Sequence, residues 1–281
     1  MHNIPAPLSL QCAFYFQEKP ILNNHAIETA IQHVFPTAQV GMLNPTENNH
    51  SQPSGMMFAY PELRNESMLS TILLSPTQAL LPGQSYLNSV TENMIQQSWS
   101  LKNAANLLQS SSHRLLLIDQ LFDLPWKKRF AYYHLTLQTL LKNFPTCQLI
   151  EWVNSQELIE PQHYLNISQT EQGYLYGAIN VRLYRVSGQG DHVIDTLGMH
   201  VFGLPDLQCH VKNNLDPDLI IQHLYLYANY LFEQGDILQD NETVDGIFPS
   251  QVWTCRREIS LVEPQRLVIN FNPGAEFYAG I

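Results

Sequence analysis

The chain has few charged residues and few cysteines for its length. Only 14% of its 281 residues are Asp, Glu, Lys or Arg, against about 25% in a typical soluble domain. The four cysteines are far apart and none belongs to a CxxC pair, so we interpret them as buried free thiols rather than disulfides or a zinc knuckle. The 11 histidines form no HxH, HxxxH or HExxH motif, and we therefore predict no metal site.

Basic residues and long apolar runs are also scarce. Lys and Arg number 14 against 25 Asp and Glu, which gives a formal net charge of −11. Phosphate binding needs a basic stripe, so this balance argues against a nucleic-acid partner. No apolar run approaches the roughly 20 residues of a membrane span, and the stretch Met1–Pro7 lacks the pattern of a signal peptide. We predict a cytoplasmic protein that binds neither nucleic acid nor membrane and needs no cofactor.

Hydrophobic periodicity predicts helices interspersed with strands along the whole chain. The predicted helices cover about 24–34, 89–109, 123–143 and 217–234. The predicted strands cover about 8–16, 39–43, 55–60, 68–74, 113–119, 146–153, 174–186, 192–202, 207–211, 252–261 and 266–271. Two of these strands, 174–186 and 192–202, read as antiparallel partners around a hairpin loop at 187–191. The last residues, 273–281, read as a loosely held tail.

This order of elements predicts an α+β fold with mixed sheets, helices packed on them and two lobes. A 281-residue chain can bury a large core, and we treat 1–281 as one globular domain. A lobe boundary is predicted near 167–173, where the chain turns polar. The strand–helix–strand order over 113–153 is typical of a βαβ unit, so its two strands are predicted to be parallel.

The predicted helix at 217–234 has the clearest boundaries. Asp216 can cap it, Pro217 suits the first helical position, and Asp218 suits the positive end of the helix dipole. Gly235 is a favourable residue to end it. Its apolar face carries residues at three- and four-residue spacing. These residues are Leu219, Ile220, His223, Leu224, Tyr227, Ala228 and Leu231.

Several short motifs around this helix, taken in order, resemble a known family. The motifs are Thr196-Leu-Gly198, Phe202-Gly-Leu-Pro-Asp206, Asp216-Pro217, Tyr230-Leu-Phe-Glu-Gln-Gly235 and Gly246, with Ser98-Trp-Ser100, His113-Arg-Leu-Leu-Leu117 and Ile150-Glu-Trp-Val-Asn-Ser155 upstream. Their order and spacing resemble the bacterial "domain of unknown function 4261" family. The resemblance implies an α+β fold and no established activity, so it transfers no catalytic residue.

The sharpest candidate for chemistry is the pair His200 and Cys209. If a four-residue loop at 203–206 joins two strands of a hairpin, His200 lies opposite Cys209 on one sheet face. A thiol beside an imidazole can form a nucleophile–base dyad or half of a metal site. The alternative is that both side chains pack in a buried face, and we favour this structural interpretation.

The basic cluster at Lys127, Lys128 and Arg129 lies in the opening turns of the predicted helix at 123–143. Cations are mildly unfavourable near the positive end of a helix dipole. That conflict would fit a contact site for a partner. A solvated helix face is the simpler explanation for three adjacent basic residues, and we interpret the cluster in that way.

Charge is distributed most unevenly between Lys212 and Arg256, where there is no Lys or Arg. Asp216 and Asp218 already have a capping role in this span, so the remaining acids are the candidates for binding. These candidates are Glu233, Asp236, Asp240, Glu242 and Asp245. A clustered acidic face can steer a basic partner, although net charge also serves solubility alone.

Two classes of function follow. The first is a non-enzymatic cytoplasmic protein-binding module, such as a bacterial immunity or adaptor protein that covers a basic partner. It depends on the acidic span and on the lack of a catalytic motif. The second is an enzyme whose site is assembled from distant residues that include His200 and Cys209. We favour the first class.

Overall fold

The structure, a computed structural model, describes most of the chain. The described residues are 8–43, 55–63, 70–77, 80, 84–186 and 190–280. The chain divides into two compact units, of which the first is Ser9–Gly177 and the second includes Ala178–Ile281. Both combine β-sheet with helix, so the predicted α+β fold is confirmed. The predicted lobe boundary near 167–173 stays a prediction.

Within the described residues, the first unit contains one seven-stranded sheet and five α-helices. In chain order these are β1 (Gln11–Phe16), α1 (Asn24–Val34), β2 (Gln39–Leu43), β3 (Gly55–Ala59), β4 (Thr71–Pro76), α2 (Glu92–Gln96), α3 (Ala104–Ser110), β5 (His113–Gln120), α4 (Trp126–Asn143), β6 (Leu149–Trp152), β7 (Glu157–Ile159) and α5 (Pro161–Ile167). The strand order is β2-β3-β4-β5-β1-β6-β7, and every neighbouring pair is antiparallel.

Strands β5 and β6 run in the same direction, as the βαβ pattern predicts. They do not pair with each other, because β1 lies between them and is antiparallel to both. The sequence pattern between β5 and β6 carries no information about a strand that comes a hundred residues earlier. The parallel direction is therefore confirmed, whereas the position of β1 had to come from the tertiary structure.

The single helix predicted at 89–109 is wrong, because the chain forms α2 and α3 with an irregular stretch between them. The break is stabilised at Ser98. Its hydroxyl donates to the carbonyl of Met94 (2.8 Å) and accepts a hydrogen bond from the backbone of Leu158 (2.8 Å). Leu158 belongs to β7, a strand that the sequence analysis did not predict. The tertiary hydrogen bond from Leu158 to Ser98 thus stabilises the interruption of the predicted helix.

Arg129 does not lie on a solvated helix face, and this part of the sequence interpretation is wrong. Helix α4 begins at Trp126, after Pro125, three residues later than the predicted helix at 123–143. One turn later the side chain of Arg129 is 1% exposed, and its Nη2 donates to Oδ1 of Asp119 in β5 (2.9 Å). The buried pair joins α4 to the sheet.

His134, in the middle of α4, makes the first unit sensitive to acid. Burial lowers its pKa to about 4, and Gln138 donates to Nε2 across 2.9 Å. As pH falls below about 6.5 the unfolded state takes up the proton first, so stability is lost between about 6.5 and 4. We expect His134 to account for about 2 kcal/mol of the stability lost between pH 7 and pH 5.

Urea unfolding of His134→Gln at several pH values measures this contribution. The variant should show a weaker loss of stability than the native chain between pH 7 and pH 5, whatever its stability at pH 7. The control is His25→Gln, because His25 is exposed on α1. An unchanged pH slope in His134→Gln would show that the imidazole is protonated as readily in the folded state as in the unfolded one.

Within the described residues, the second unit contains a six-stranded sheet and one long helix. In chain order these are β8 (Asn180–Arg185), β9 (His192–Leu197), β10 (Asp206–Val211), α6 (Pro217–Gln234), β11 (Thr243–Asp245), β12 (Val252–Ile259) and β13 (Leu267–Asn272). The strand order is β11-β12-β13-β10-β9-β8, with β10 and β13 parallel and the other neighbours antiparallel. The predicted pairing of β8 with β9 is confirmed, and its loop at 187–189 lies outside the described residues.

Helix α6 has the boundaries that the sequence predicts. The carboxylate of Asp216 accepts from the backbone of Asp218 (3.0 Å), and Pro217 is the first helical residue. Gly235 ends the helix with a φ of 88°, and its N–H donates to Leu231 (2.7 Å). A positive φ favours glycine, because other residues meet steric strain there.

The C-terminal residues are held in place, so the predicted loose tail is wrong for 273–280. The backbone of Lys212 donates to Phe277 (2.8 Å), and that of Ala279 donates to His210 (3.0 Å). A β-bridge joins Tyr278 to Val211 at the end of β10. These bonds extend the sheet and fix the segment over one end of it.

Candidate functional site

One face of the second sheet carries a row of polar residues that crosses five strands. The register aligns Arg182 with Asp195, Asp195 with Gln208, Gln208 with Asn270, and Asn270 with Arg256. Residues in register on neighbouring strands share a face. Four of the five are almost completely buried, and Arg256 is exposed. Buried polar side chains need hydrogen-bond partners, so the four buried residues of this row require such partners.

Helix α6 covers the opposite, apolar face. Trp253, Phe271 and Cys209 alternate along their strands with residues of the polar row and therefore lie on this other face. The ring of His223 lies 4.6 Å from that of Trp253, and the ring of Tyr227 lies 5.3 Å from that of Phe271. The sheet thus has one face for its core and one face rich in polar groups.

A buried ionic network occupies the β8–β9 end of the polar face. Asp195 accepts from Nε and Nη2 of Arg182 at 3.0 and 2.6 Å, and from Nη2 of Arg266 at 2.5 Å. Arg266 also donates through Nε to Asp206 (2.9 Å). Burial raises the pKa of Asp195, and the bonds from both guanidinium groups oppose that rise. Two carboxylates and two guanidinium groups offset one another, which compensates part of the penalty for burying charge.

His200 joins this network at its partly exposed edge. It lies in a 3₁₀ turn, Met199–Phe202, and its Nδ1 is 3.3 Å from Oδ2 of Asp206. Burial alone would raise the pKa of Asp206, but the bond to His200 and the charge of Arg266 lower it below its ordinary value. The carboxylate fixes the orientation of the imidazole, as such second groups do.

The predicted pairing of His200 with Cys209 is wrong. Strand β9 ends at Leu197, and the register places Ile194 opposite Cys209. The predicted hairpin counted through 198–202 as strand, whereas this segment begins with Gly198 at a φ of 135° and continues as the 3₁₀ turn. His200 bonds a side chain of the polar face, and Cys209 lies on the apolar face.

Cys209 has the environment of a packing residue. Its side chain is completely buried, and its Sγ donates to the carbonyl of Phe271 (3.2 Å). Burial raises the pKa of the thiol, so the thiolate that a nucleophile requires is disfavoured. The geometry therefore gives no support to an enzyme site that combines His200 with Cys209.

Two of the five acids predicted for binding are bound to Arg257. The guanidinium of Arg257 donates to Asp236 through Nη1 (2.9 Å) and through Nη2. The backbone N–H of Arg257 donates to Oδ1 of Asp240 (2.6 Å). Asp236 and Asp240 thus share one partner and fasten the segment after α6 to β12. Arg257 reduces the negative charge that this segment presents to solvent.

The other three acids lie on α6, just before β11 and at the end of β11. Glu242 accepts from the backbone of Gln239 (2.7 Å). The backbone carbonyl of Asp245 accepts a hydrogen bond from the hydroxyl of Tyr227 (3.3 Å), which places β11 beside the helix. Glu233 is exposed near the end of α6. The predicted set is therefore divided between internal partners and the surface.

An apolar and aromatic stripe runs along the outer surface of α6 beside these acids. Leu226 is 63% exposed and Tyr230 is 44% exposed. Leu226, Tyr230 and Glu233 follow each other at spacings of four and three residues, which places them on one helix face. The ring of Tyr230 lies 6.1 Å from that of Tyr227, the residue that contacts Asp245. The stripe and two acids form one surface, hereafter the α6 surface: Leu226, Tyr230, Glu233 and Asp245.

Sequence reasoning missed Leu226 and Tyr230, although the signal was present. The predicted apolar face of α6 includes Tyr227 and Leu231, and both exposed residues lie outside it by helical spacing. A large apolar residue on the polar side of an amphipathic helix is informative when a second one lies four residues away. Their exposure became evident only when the sheet covered the other face.

A comparison with known protein families matches part of the second unit. Residues 195–272 match the family described as "Domain of unknown function (DUF4261)". The resemblance expected from the motifs is thereby confirmed over this segment. No curated protein and no solved structure matches the chain.

The matched segment, residues 195–272, begins at Asp195 and ends with β13. It contains Asp195, Asp206 and Arg266 of the ionic network and the whole of α6. The resemblance of the upstream motifs between Ser98 and Ser155 lies outside the match and stays a prediction. The features described above therefore coincide with the part of the chain that resembles other proteins.

In the described part of the chain, no group of three or more His, Cys, Asp or Glu side chains could hold a metal ion. No helix in the same residues is long and apolar enough to cross a membrane.

Proposed function

We propose that the protein is a non-enzymatic, cytoplasmic protein-binding module that covers a basic partner through the α6 surface, as an immunity or adaptor protein does. The observation that carries the proposal is the exposed pair Leu226 and Tyr230 beside Glu233 and Asp245. Tyrosine is enriched among the residues that dominate binding energy at protein interfaces. A rim of acids around an aromatic centre fits a partner with exposed Lys and Arg side chains.

Charge favours a basic partner over a neutral one. The span from Lys212 to Arg256 contains no other Lys or Arg, so acids outnumber bases along α6 and the segment after it. Burial raises the pKa of the Tyr227 hydroxyl, and the nearby negative charge of Asp245 raises it further. Complementary charge at a rim mainly accelerates association and sets the salt dependence of binding.

Asp236 and Asp240 are unsuitable positions for testing the proposal, because both are bonded to Arg257. Neutralising either acid would remove a bond to Arg257 and disturb the fold. Glu233 and Asp245 are the appropriate targets, because both are exposed. We expect Glu233→Gln with Asp245→Asn to weaken partner binding at low salt by about tenfold or more. We expect Tyr230→Ser to weaken binding at low salt as well, because its ring contributes apolar contact area.

The measurement is a pull-down from the native host with the tagged protein at low and high salt, read by mass spectrometry. Support consists of one basic protein that is retained at low salt, released at high salt, and lost with both variants. Glu18→Gln with Glu171→Gln is the matched control, because it removes two exposed acids from the first unit and changes net charge equally. Retention of the same partner by the α6 variants, or loss with the control, would refute the proposal.

A further inference from the structure

A groove on the polar side of the second sheet has the properties of a ligand site, and nothing in the proposed function uses it. We propose that this groove binds a small monoanionic carboxylate that also carries an amide N–H. The groove has a volume of about 590 Å³, within the usual range for small-molecule sites. The lining residues that carry the argument are Thr254, Arg256, Asn270, Asn272 and Tyr278.

The base of the groove is formed by two neighbouring strands. The register aligns Arg256 with Asn270, and Thr254 with Asn272. These four residues share a face, because paired residues and alternate residues along a strand do so. The row that begins at Arg182 ends at Arg256, so the groove lies at the opposite end of the row from the ionic network. A site built on central strands is held more rigidly than one built on loops.

The wall of the groove comes from the C-terminal segment. The side chain of Lys212 donates to the carbonyl of Ala275 (2.7 Å), in addition to the backbone bonds that fix Phe277 and Ala279. Gly274 permits the turn with a φ of 95°. The wall is thus formed before any ligand binds, which lowers the entropy cost of binding.

Arg256 supplies the positive charge of the groove. Its side chain is 67% exposed, and a guanidinium fork matches the two oxygens of a carboxylate. The distance between Oε2 of Glu258 and Nε of Arg256 is 3.8 Å. This neighbouring carboxylate offsets part of the cation, so a monoanion is favoured over a phosphate dianion.

Asn270 supplies an unmet hydrogen-bonding group. Its Nδ2 donates to the hydroxyl of Tyr278 (2.8 Å), whereas its Oδ1 is buried and has no partner within the described residues. A buried polar atom without a partner costs about 1–3 kcal/mol. Asn270 lines the groove, so the partner assigned to this acceptor is an amide N–H of a ligand whose carboxylate contacts Arg256. The two groups therefore select for both chemical features together.

The test uses three probes in an NMR titration of the isotope-labelled full chain. N-acetylglycine carries both features, N-acetylglycinamide lacks the charge, and inorganic phosphate supplies an oxyanion without the amide. We expect N-acetylglycine to shift the amide signals of β12, β13 and 274–280 in a saturable manner, with a dissociation constant of about 1 mM. The other two probes should bind about tenfold more weakly.

Two variants tie the binding to the groove. Arg256→Gln should weaken N-acetylglycine binding by about tenfold. Arg185→Gln is the matched control, because Arg185 is exposed on β8 and its replacement changes net charge equally. The proposal is overturned by the absence of saturable shifts, by equal binding of N-acetylglycinamide, by tighter binding of phosphate, or by an unchanged affinity in Arg256→Gln. Failure of the α6 surface to bind a basic protein would leave each of these outcomes unaffected, because the two sites share no residue.

Discussion

Replacing Arg129 by Met is expected to lower the free energy of unfolding by about 4 kcal/mol, because breaking a buried ion pair leaves one charge uncompensated. Arg129 and Asp119 are 1% and 0% exposed at their side chains. Asp119 would keep its bond from the backbone of Leu10 (2.5 Å), but no cation would oppose its charge. Methionine preserves most of the apolar stem, so the loss reports the guanidinium rather than side-chain volume.

The neighbouring residue provides the control for this prediction. Lys128 is exposed on the same turn of α4, and Lys128→Met should change the unfolding free energy by no more than about 0.5 kcal/mol. Both variants lose one positive charge and gain the same side chain, so general electrostatics cancels in the comparison. Urea unfolding followed by tryptophan fluorescence measures both. Equal losses in the two variants would contradict the buried position of Arg129.

Replacing Gly198 by Ala is expected to cost about 3 kcal/mol, because backbone strain and a steric clash act together. Gly198 has a φ of 135°, and a Cβ at this position would lie 2.0 Å from the carbonyl oxygen of Ala178. That oxygen belongs to backbone and cannot move aside as a flexible side chain would. Either β9 or the 3₁₀ turn after it must shift, which disturbs His200 and the ionic network behind it.

Gly203, at the other end of the same turn, separates strain from clash. Its φ is 72°, and a Cβ there would have no atom within 4 Å. Gly203→Ala should therefore cost about 1 kcal/mol from backbone conformation alone. Urea unfolding gives the two free energies, and hydrogen exchange of β8 and β9 shows whether Gly198→Ala loosens the sheet locally. A smaller loss in Gly198→Ala than in Gly203→Ala would show that Ala178 does not press on this turn.

The sequence predicted helices well where local chemistry was sufficient. The boundaries of α6 follow from Asp216, Pro217 and Gly235, each of which acts within one turn of its own position. Helix α1 likewise ends at Val34, as predicted, and the side chain of Asn23 caps its start. In both cases the relevant hydrogen bonds join residues that are close in the chain.

Predictions failed where a distant residue decided the local structure. The helix at 89–109 is interrupted because Ser98 bonds Leu158, sixty residues later. The charge of Arg129 is buried because Asp119 lies on the strand against which α4 packs. The acids Asp236 and Asp240 fold back on Arg257, which follows them in sequence by about twenty residues. No periodicity or capping rule contains these pairings.

The candidate sites show the same division. The absence of Lys and Arg from the span around α6 is a property of the sequence, and so is the spacing of Leu226 and Tyr230 on one helix face. Which of the acids remain at the surface depended on the position of Arg257 across the fold. The polar row from Arg182 to Arg256 depended wholly on register, because β10 and β13 are parallel neighbours that are far apart in the chain. Side-chain alternation is a local rule, but the alignment of one strand with another is set by the packing of the whole sheet.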